Sequence, residues 1–316
     1  MTTDQLIQAF KAQHKLTSSI ESYAPNWFIP IAELINTHQK RESKCIFVGL
    51  NGSQGSGKST LADFIKMYLE SQHQLSVAVI SLDDFYLSQQ KRNHLADTVH
   101  PLLKSRGVPG THNTQLMSST LHALKSDKPN CRLPRFNKAI DDPEPEENWP
   151  LVTEKVDVVV MEGWCWGTPE QTEQELVKPI NTLESEEDKN GTWRKYVNDA
   201  LKSDYLALYQ QMDFWLMLKA PSFDCISNWR KEQEHKLRQA HALSADKNAP
   251  SAIMSDEQVE RFIQHFQRLT EHGLKQVPEV CNLVLQLDAQ RQPMLVSGSS
   301  VAEFDSIKAT IKNKAI

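Results

Sequence analysis

The stretch Cys45-Ile-Phe-Val-Gly-Leu-Asn-Gly-Ser-Gln-Gly-Ser-Gly-Lys-Ser-Thr60 decides how this chain folds. Cys45 to Leu50 is a short apolar run with β-branched and aromatic members, which reads as a buried strand. Gly52–Ser59 then fits G-x-x-x-x-G-K-[ST], and Leu61, Phe64, Ile65, Tyr68 and Leu69 recur as the stripe of an amphipathic helix. Strand, glycine loop and helix in this order are the setting a phosphate-binding loop requires. The residue types follow from the chemistry. Gly52, Gly55 and Gly57 free the backbone to aim successive N–H groups at phosphate oxygens. The helix N-terminus adds partial positive charge. Ser53, Gln54, Ser56 and Thr60 complete the loop, Lys58 reaches the β- and γ-phosphates, and Ser59 offers its hydroxyl to Mg2+. The expected ligands are ATP, or another nucleoside triphosphate, and Mg2+.

Composition narrows the setting. The 316 residues suffice for one large α/β core carrying insertions. A net charge of −5 offers no global basic surface, so nucleic acid is not an expected partner. Five scattered cysteines lack C-x-x-C spacing, which argues against a zinc site or disulfide framework and suits a reducing cytoplasm. Residues 1–25 lack a basic segment followed by an apolar one, and no run approaches 18 apolar residues. Neither a secretory signal nor a membrane span is expected, and the reading is of a cytoplasmic protein.

Working outward from the loop, residues 1–43 read as two helices about Leu6, Ile7, Phe10 and about Ile31, Leu34, Ile35, forming a helical layer on the core. Val77–Ile80 reads as a second buried strand, delivering Asp83 and Asp84 at its end in Ser81-Leu-Asp-Asp-Phe-Tyr86. In open parallel sheets ligands lie beyond the carboxyl ends of the strands. Asp83 then falls beside the γ-phosphate, placed to orient an incoming hydroxyl and accept its proton. Adjacent strand residues face opposite ways, so Asp84 has a different task; taken alone, the pair reads equally well as a cap and a solvent-facing acid. Val156–Met161 is the third strand, and Glu162 at its end is placed to hold Mg2+ directly or through water. Trp164 and Trp166 behind it read as packing residues. Phe214–Leu218 and Leu283–Leu287 supply the fourth and fifth strands.

Between these strands lie loops with scattered charge. Residues 87–150 read as turn-rich around one helix at Gln115–Lys125. Arg106 to Asn113 and Leu133 to Lys138 carry cations that suit a small anionic substrate, although surface loops often carry such charge. Asp141–Glu147 reads as a solvated turn, and residues 168–210 as a polar helical insertion anchored by Trp193. Arg230, Glu234 and Arg238 share one helix face. That face is either solvated and ion-paired or a lid whose arginines close over the transferring phosphoryl group. Ser255 opens a capping box, followed by a stripe of Val259, Phe262, Ile263, Phe266 and Leu269. Residues 290–300 read as a loop and 301–316 as a short helix or frayed tail.

The assembled pieces resemble the P-loop kinases of the phosphoribulokinase, uridine kinase and pantothenate kinase group, and most closely the D-glycerate 3-kinase family. They are Gln54–Ser59, Ser81–Tyr86, Arg106-Gly with Gly110-Thr-His112, Pro134–Lys138, Glu162-Gly-Trp164, Trp229-Arg230 with Gln233-Glu234, and Met254–Glu257. The resemblance covers roughly residues 44–288. It implies a five-stranded parallel sheet with helices on both faces, plus helical insertions and a lid: an α/β P-loop NTPase fold. It also implies phosphoryl transfer from ATP to a small hydroxylated acceptor, D-glycerate or a related hydroxy acid. Lys58 and Ser59 would serve ATP and Mg2+, Asp83 the acceptor hydroxyl, Glu162 the metal and Arg230 the lid. Acceptor contacts are expected from Asp84, Tyr86, Arg106, His112, Arg135 and Lys138, whose cations suit a carboxylate. Two positions depart from the family: Asn137 stands where an acid often precedes the loop lysine, and Asp142-Pro143 where a charged turn with arginine is usual.

Other uses of the loop are less well served. A GTP switch needs N-K-x-D, whereas Asn137-Lys138 is followed by Ala139, Ile140 and Asp141, one residue too long. A P-loop ATPase needs no acceptor pocket, yet Asp83–Tyr86 and Arg106–His112 look like one. A nucleoside or pantothenate-like acceptor is the further alternative. The expected division is a helical extension at 1–43, a kinase domain at 44–290 with an insertion near 168–210 and a lid near 222–255, and a tail at 291–316.

Overall fold

The computed structural model describes residues 1–16, 19–243 and 254–314. Seven consecutive buried residues, Ile46–Gly52, form strand β1. It is followed by β2 (Val77–Ser81), β3 (Val158–Gly163), β4 (Phe214–Lys219), β5 (Leu283–Leu287) and β6 (Pro293–Ser297). Their spatial order is β2-β3-β1-β4-β5-β6. All neighbours are parallel except the last pair. The five expected strands are therefore joined by a sixth, on residues whose sequence reads as a loop. Its signal is weak because it is an edge: Met294 and Leu295 are exposed, and Pro293 opens it, where an edge strand tolerates proline. The Asp288–Gln292 turn closes this hairpin, with Asp288 Oδ1 accepting the N–H groups of Gln290 and Gln292 at 2.8 Å each.

The two-residue period of the strands splits the core into two layers. Ile46, Val48 and Leu50 face one layer, and Phe47 with Val159 and Met161 the other. Helices α1 (Thr3–His14), α2 (Ile29–Glu42) and α3 (Lys58–His73) cover the first face. The opposite face is covered by α5 (Thr114–Leu124), which follows α4 (Gln89–Thr98), and by α6 (Thr192–Ala200). Farther along come α7 (Phe223–Leu243), α8 (Asp256–Gln276) and α9 (Val301–Lys314). Phe304 of α9 is fully buried in the first layer, so Val301–Lys314 is a packed helix. α4 escapes the sequence pattern because its ten residues bury only Arg92 and present no apolar stripe. Residues 244–253, at the far end of the expected lid, lie outside the described residues.

Trp193 is buried, and two acids of the same segment are buried in ion pairs: Glu184 pairs with Arg268 of α8 at 2.6 Å, and Asp188 with Arg194 at 3.0 Å, all four buried. Such pairs add little net stability but resist loss of one partner. The Glu184–Arg268 pair fastens the 168–210 segment to α8, and the Asp188–Arg194 pair braces the segment internally. Among the described residues no helix is long and apolar enough to cross a membrane.

Phe64 links the N-terminal helices to the sheet, meeting Phe10 edge-on at 5.1 Å and Phe28 at 5.2 Å. Phe64→Ala is expected to cost about 3–5 kcal/mol. Urea unfolding followed by near- and far-UV circular dichroism should still show one transition, moved to lower urea; two separated transitions would make the helical layer an independent unit.

Candidate active site

Strand register sets the site. Glu162 stands opposite Leu50 of β1 on one side and Ser81 of β2 on the other, so three strand ends converge on it. The loop leaving β1 turns through Gly55 at φ 79° and Gly57 at φ 91°, conformations that favour glycine. At Gly52 the reason is close approach: a Cβ there would lie 2.7 Å from Ser56 Oγ. α3 starts at Lys58 with Gly57 as cap and no side-chain capping bond, which leaves its first N–H groups available to an anion. The Ser53 and Ser56 hydroxyls are buried without hydrogen-bond partners.

At the mouth of the loop Ser59 Oγ donates to Glu162 Oε1 at 3.0 Å, and Lys58 Nζ lies 3.5 Å from Glu162 Oε2. That second oxygen is buried and makes no hydrogen bond. A hydroxyl beside a carboxylate with a spare oxygen is the hard donor set that suits Mg2+, which completes its shell with phosphate oxygens and water.

β2 leaves the sheet through the single turn Leu82–Phe85, and this turn separates the two acids. Asp83 points to the loop: its Oδ2 accepts from Lys138 Nζ at 2.6 Å and its Oδ1 from the Tyr86 hydroxyl at 2.5 Å. Burial alone would raise its pKa. Lys138, then Lys58, outweigh that effect and hold the carboxyl at about 2. Asp84 points away, accepting from Phe136 N at 3.2 Å and Arg135 Nη1 at 3.3 Å. Burial pushes its pKa above the usual carboxylate range, against the pull of Arg135. Asp84 thus fastens the 133–138 loop, while Asp83 faces the mouth of the phosphate loop.

Behind Asp83, Tyr86 packs on His112 at 5.0 Å and edge-on against Phe136 at 5.1 Å. His112 is buried, its Nδ1 2.5 Å from the Tyr205 hydroxyl, and burial lowers its pKa to about 4 despite the charge of Asp83. It is a neutral prop for Tyr86. Arg106 lies over the rings of Phe136 and Tyr86 at 5.6 and 6.0 Å and is bonded to Asp141. Asp141 is no solvated turn residue. It sits at φ 59° with its other oxygen 2.5 Å from Arg92 Nη2, and Arg92 is buried and donates to the Leu87 and Lys104 carbonyls.

A cavity of about 440 Å³ gathers Lys58, Ser59, Asp83, Lys138, Glu162 and Arg230, with Gln54, Gly55, Asp84, Tyr86 and Arg106 in its wall. Arg230 enters from α7, paired with Glu234 at 2.8 Å. Not every expected residue joins them. His112 stands behind Tyr86, and Arg135 opens onto a neighbouring cavity of about 670 Å³ beside Asp63 and Lys66. Ser56, Gly57 and Thr60 face the opposite side of the loop. Gln233, Phe262 and Phe266, which the sequence reading did not select, also line the site; the two phenylalanines belong to the expected apolar stripe of α8, whose first half meets the cavity. Arg291 was missed as well: its Nε donates to Gly55 O at 2.8 Å and its guanidinium covers the Trp229 ring at 5.0 Å.

Comparison with known proteins agrees with this geometry. A family model described as the KAP family P-loop domain matches residues 28–202. An uncharacterized kinase of Schizosaccharomyces pombe is 30% identical over 251 residues, spanning 75% of this chain and 83% of that protein. The chloroplastic D-glycerate 3-kinase of Arabidopsis thaliana is 27% identical over 281 residues, spanning 83% of this chain and 57% of that protein. Among solved structures, D-glycerate 3-kinase from Cryptococcus neoformans superposes with a TM-score of 0.70 at 22% identity, covering 85% of this chain and 98% of that one. Fold and loop together define a P-loop phosphotransferase. The chain belongs to the KAP family of P-loop domains, and D-glycerate 3-kinase and other P-loop kinases are among its relatives.

Two measurements probe this architecture. Asp141→Asn keeps the side chain's shape but removes the charge that holds Arg106. Losing a charged hydrogen bond is worth about 1.5–3 kcal/mol, so the acceptor KM should rise about tenfold or more. The ATP KM should stay within about twofold, and a variant with both constants unchanged would remove Arg106 from acceptor binding. The second concerns His112. Its folded pKa of about 4 lies below the ordinary 6.5, so the unfolded chain binds the extra proton in between. Stability is therefore complete above about pH 6.5 and falls as the pH drops toward 4, by at most about 1.4 kcal/mol per unit. Urea midpoints across that window should show the slope, and His112→Gln should flatten it.

Proposed function

We propose that the protein transfers the γ-phosphoryl group of ATP to a hydroxyl of a small anionic hydroxy acid, D-glycerate being the first candidate. One observation carries this reading: Asp83, suited to an acceptor hydroxyl, and Lys138, suited to an acceptor carboxylate, are bonded at 2.6 Å in the cavity that holds the mouth of the phosphate loop. The names of the Arabidopsis and Cryptococcus relatives support the same acceptor. The departure at Asn137 does not count against it. Asn137 Nδ2 donates to Glu144 Oε1 at 2.8 Å and its Oδ1 accepts from Ala139 N at 2.9 Å, so it shapes the turn that presents Lys138.

In this mechanism the backbone N–H groups of 52–60 hold the phosphates, and Lys58 leaves Glu162 to compensate the β- and γ-oxygens. Ser59 and Glu162 would hold Mg2+, which supplies charge neutralisation on the transferred group when bound. Asp83 orients the acceptor hydroxyl and takes its proton as the O–P bond forms. Lys138 and Arg106 bind the carboxylate, Tyr86 fixes the Asp83 rotamer, and Arg230 brings a further cation from α7 to the transferring group. We place the protein in the cytoplasm, a reading supported by five free cysteines.

The test is a coupled ADP-release assay against hydroxy acids, sugars, nucleosides and pantothenate, with the product confirmed by mass. A hydroxy acid should give the strongest response, and Asp83→Asn should lower kcat by about 10²–10⁴ with little change in ATP affinity. Turnover with uridine or pantothenate and none with any hydroxy acid would overturn the acceptor class. ADP release indifferent to every acceptor would make the protein an ATPase.

A further inference from the structure

Behind Asp83 runs a line of buried polar groups that ends in a different part of the chain. Asp83 Oδ1 accepts from the Tyr86 hydroxyl at 2.5 Å, the Tyr86 ring packs on His112 at 5.0 Å, and His112 Nδ1 meets the Tyr205 hydroxyl at 2.5 Å. Backbone bonds fix the middle of the line. Asn113 N donates to Phe85 O at 2.7 Å and Leu87 N to Thr111 O at 2.9 Å, on either side of the bridge between Tyr86 and His112. Tyr205, at the far end, closes the turn Leu201–Tyr205, which continues α6 with the wide π spacing. Trp193, Val197, Leu201 and Tyr205 are all buried, at intervals of four. A regular α-helix drifts by about 40° at each such step, and the wider turn takes up part of that drift, so Tyr205 stays on the buried face. The same helix is seated on the loop that carries His112: at Gly110, φ 87°, a Cβ would lie 2.5 Å from Tyr196 Cε1.

As packing alone this arrangement is costly. Tyr205 is fully buried in the second core layer, where a phenylalanine would fill the same space with no hydroxyl to satisfy. His112 is buried as well, and its Nε2 has no hydrogen-bond partner among the described residues. What the pair provides is a fixed seat for the Tyr86 ring, and with it a fixed direction for the bond to Asp83. We propose that Tyr205 is a positioning residue for phosphoryl transfer: through His112 and Tyr86 it holds the Asp83 carboxylate in line with the acceptor hydroxyl. The 168–210 segment is then part of the catalytic apparatus as well as a cover for the sheet. The inference rests on the transfer reading and adds the distant group that keeps its acid oriented. The restraint matters because the other bond of Asp83 goes to Lys138, which is more than half exposed and, on that reading, turns to the acceptor carboxylate.

Steady-state kinetics of the full chain with ATP, Mg2+ and D-glycerate, or the hydroxy acid that responds most strongly, read the effect. Tyr205→Phe removes the hydroxyl and keeps the ring. It should lower kcat about tenfold while both KM values stay within about twofold, the mark of lost orientation and not of lost binding. Tyr86→Phe cuts the last link to Asp83, so adding Tyr205→Phe to it should change kcat by less than about twofold more. Tyr209→Phe is the matched control: its hydroxyl, one turn farther on, donates to the Cys165 carbonyl at 3.2 Å, and its kcat should hold. Should Tyr205→Phe fold poorly, His112→Gln tests the middle link and should show the same kcat loss and the same failure to add to Tyr86→Phe. A folded variant of either kind with wild-type kcat, a loss that falls on KM, losses that multiply with Tyr86→Phe, or an equal loss in Tyr209→Phe would overturn the positioning role and leave the transfer reading standing. Wild-type protein whose ADP release ignores every acceptor would remove that reading, and this inference with it.

Discussion

Glu162 is a carboxylate almost fully buried at the centre of the sheet, and the site depends on how that charge is satisfied. A buried charge without partners would cost several kcal/mol. Here both partners come from the first turn of α3, Lys58 by charge and Ser59 by hydrogen bond. α3 can begin there only because the glycine loop reverses the chain directly after β1. The register that sets Glu162 between Leu50 and Ser81 then brings the end of β2, and with it Asp83, to the same point. Lys58 contributes again at that distance, as the second of the cations that depress the Asp83 pKa.

Around this centre each cation of the site is matched to an acid of the same chain, but the pairs differ in kind. Lys138 is more than half exposed, and an ion pair at such a surface is worth about 0–1 kcal/mol. An incoming carboxylate can replace Asp83 as its partner at little cost. Arg92 is the opposite case: it is buried and held by the half-buried Asp141 and the Leu87 and Lys104 carbonyls, and removing that acid would leave an uncompensated charge inside the protein. The pocket is thus a rigid frame (Arg92, Asp141, Asp84) carrying exchangeable cations at its mouth.

This division also explains what was legible in the sequence. The phosphate loop, the five core strands and the acids at their ends are local patterns: a few consecutive residues contain the whole signal. The Arg92–Asp141–Arg106 clamp is not local, since its acid lies 49 residues from one partner and 35 from the other. Its helix α4 is polar on every side, and its acid sits in a stretch whose composition reads as solvated. Arg291 was invisible for the same reason, 236 residues from the loop it holds. His112 shows the converse error. It lies in a segment of the right chemistry, but the isolated bridge from Tyr86 to His112 turns the imidazole inward to Tyr205. Only the fold says which face of a loop meets the cavity.

The low basicity of Asp83 bears on how a hydroxyl could be activated there. A carboxyl held at about 2 is a poor proton acceptor, and a strong base would be needed if the hydroxyl had to ionise before attack. Phosphoryl transfer passes in most analyses through a loose transition state, in which the nucleophile forms little bond and its proton becomes acidic late. A weak base that stays ionised and holds the hydroxyl in line is then sufficient. The largest influence lowering the Asp83 pKa is Lys138, the cation proposed to receive the acceptor carboxylate. On that reading, acceptor binding draws Lys138 toward the carboxylate and weakens its hold on Asp83. Proton affinity at Asp83 rises when a hydroxyl is present to use it, and in the absence of acceptor the carboxylate stays paired with Lys138, where it activates water poorly.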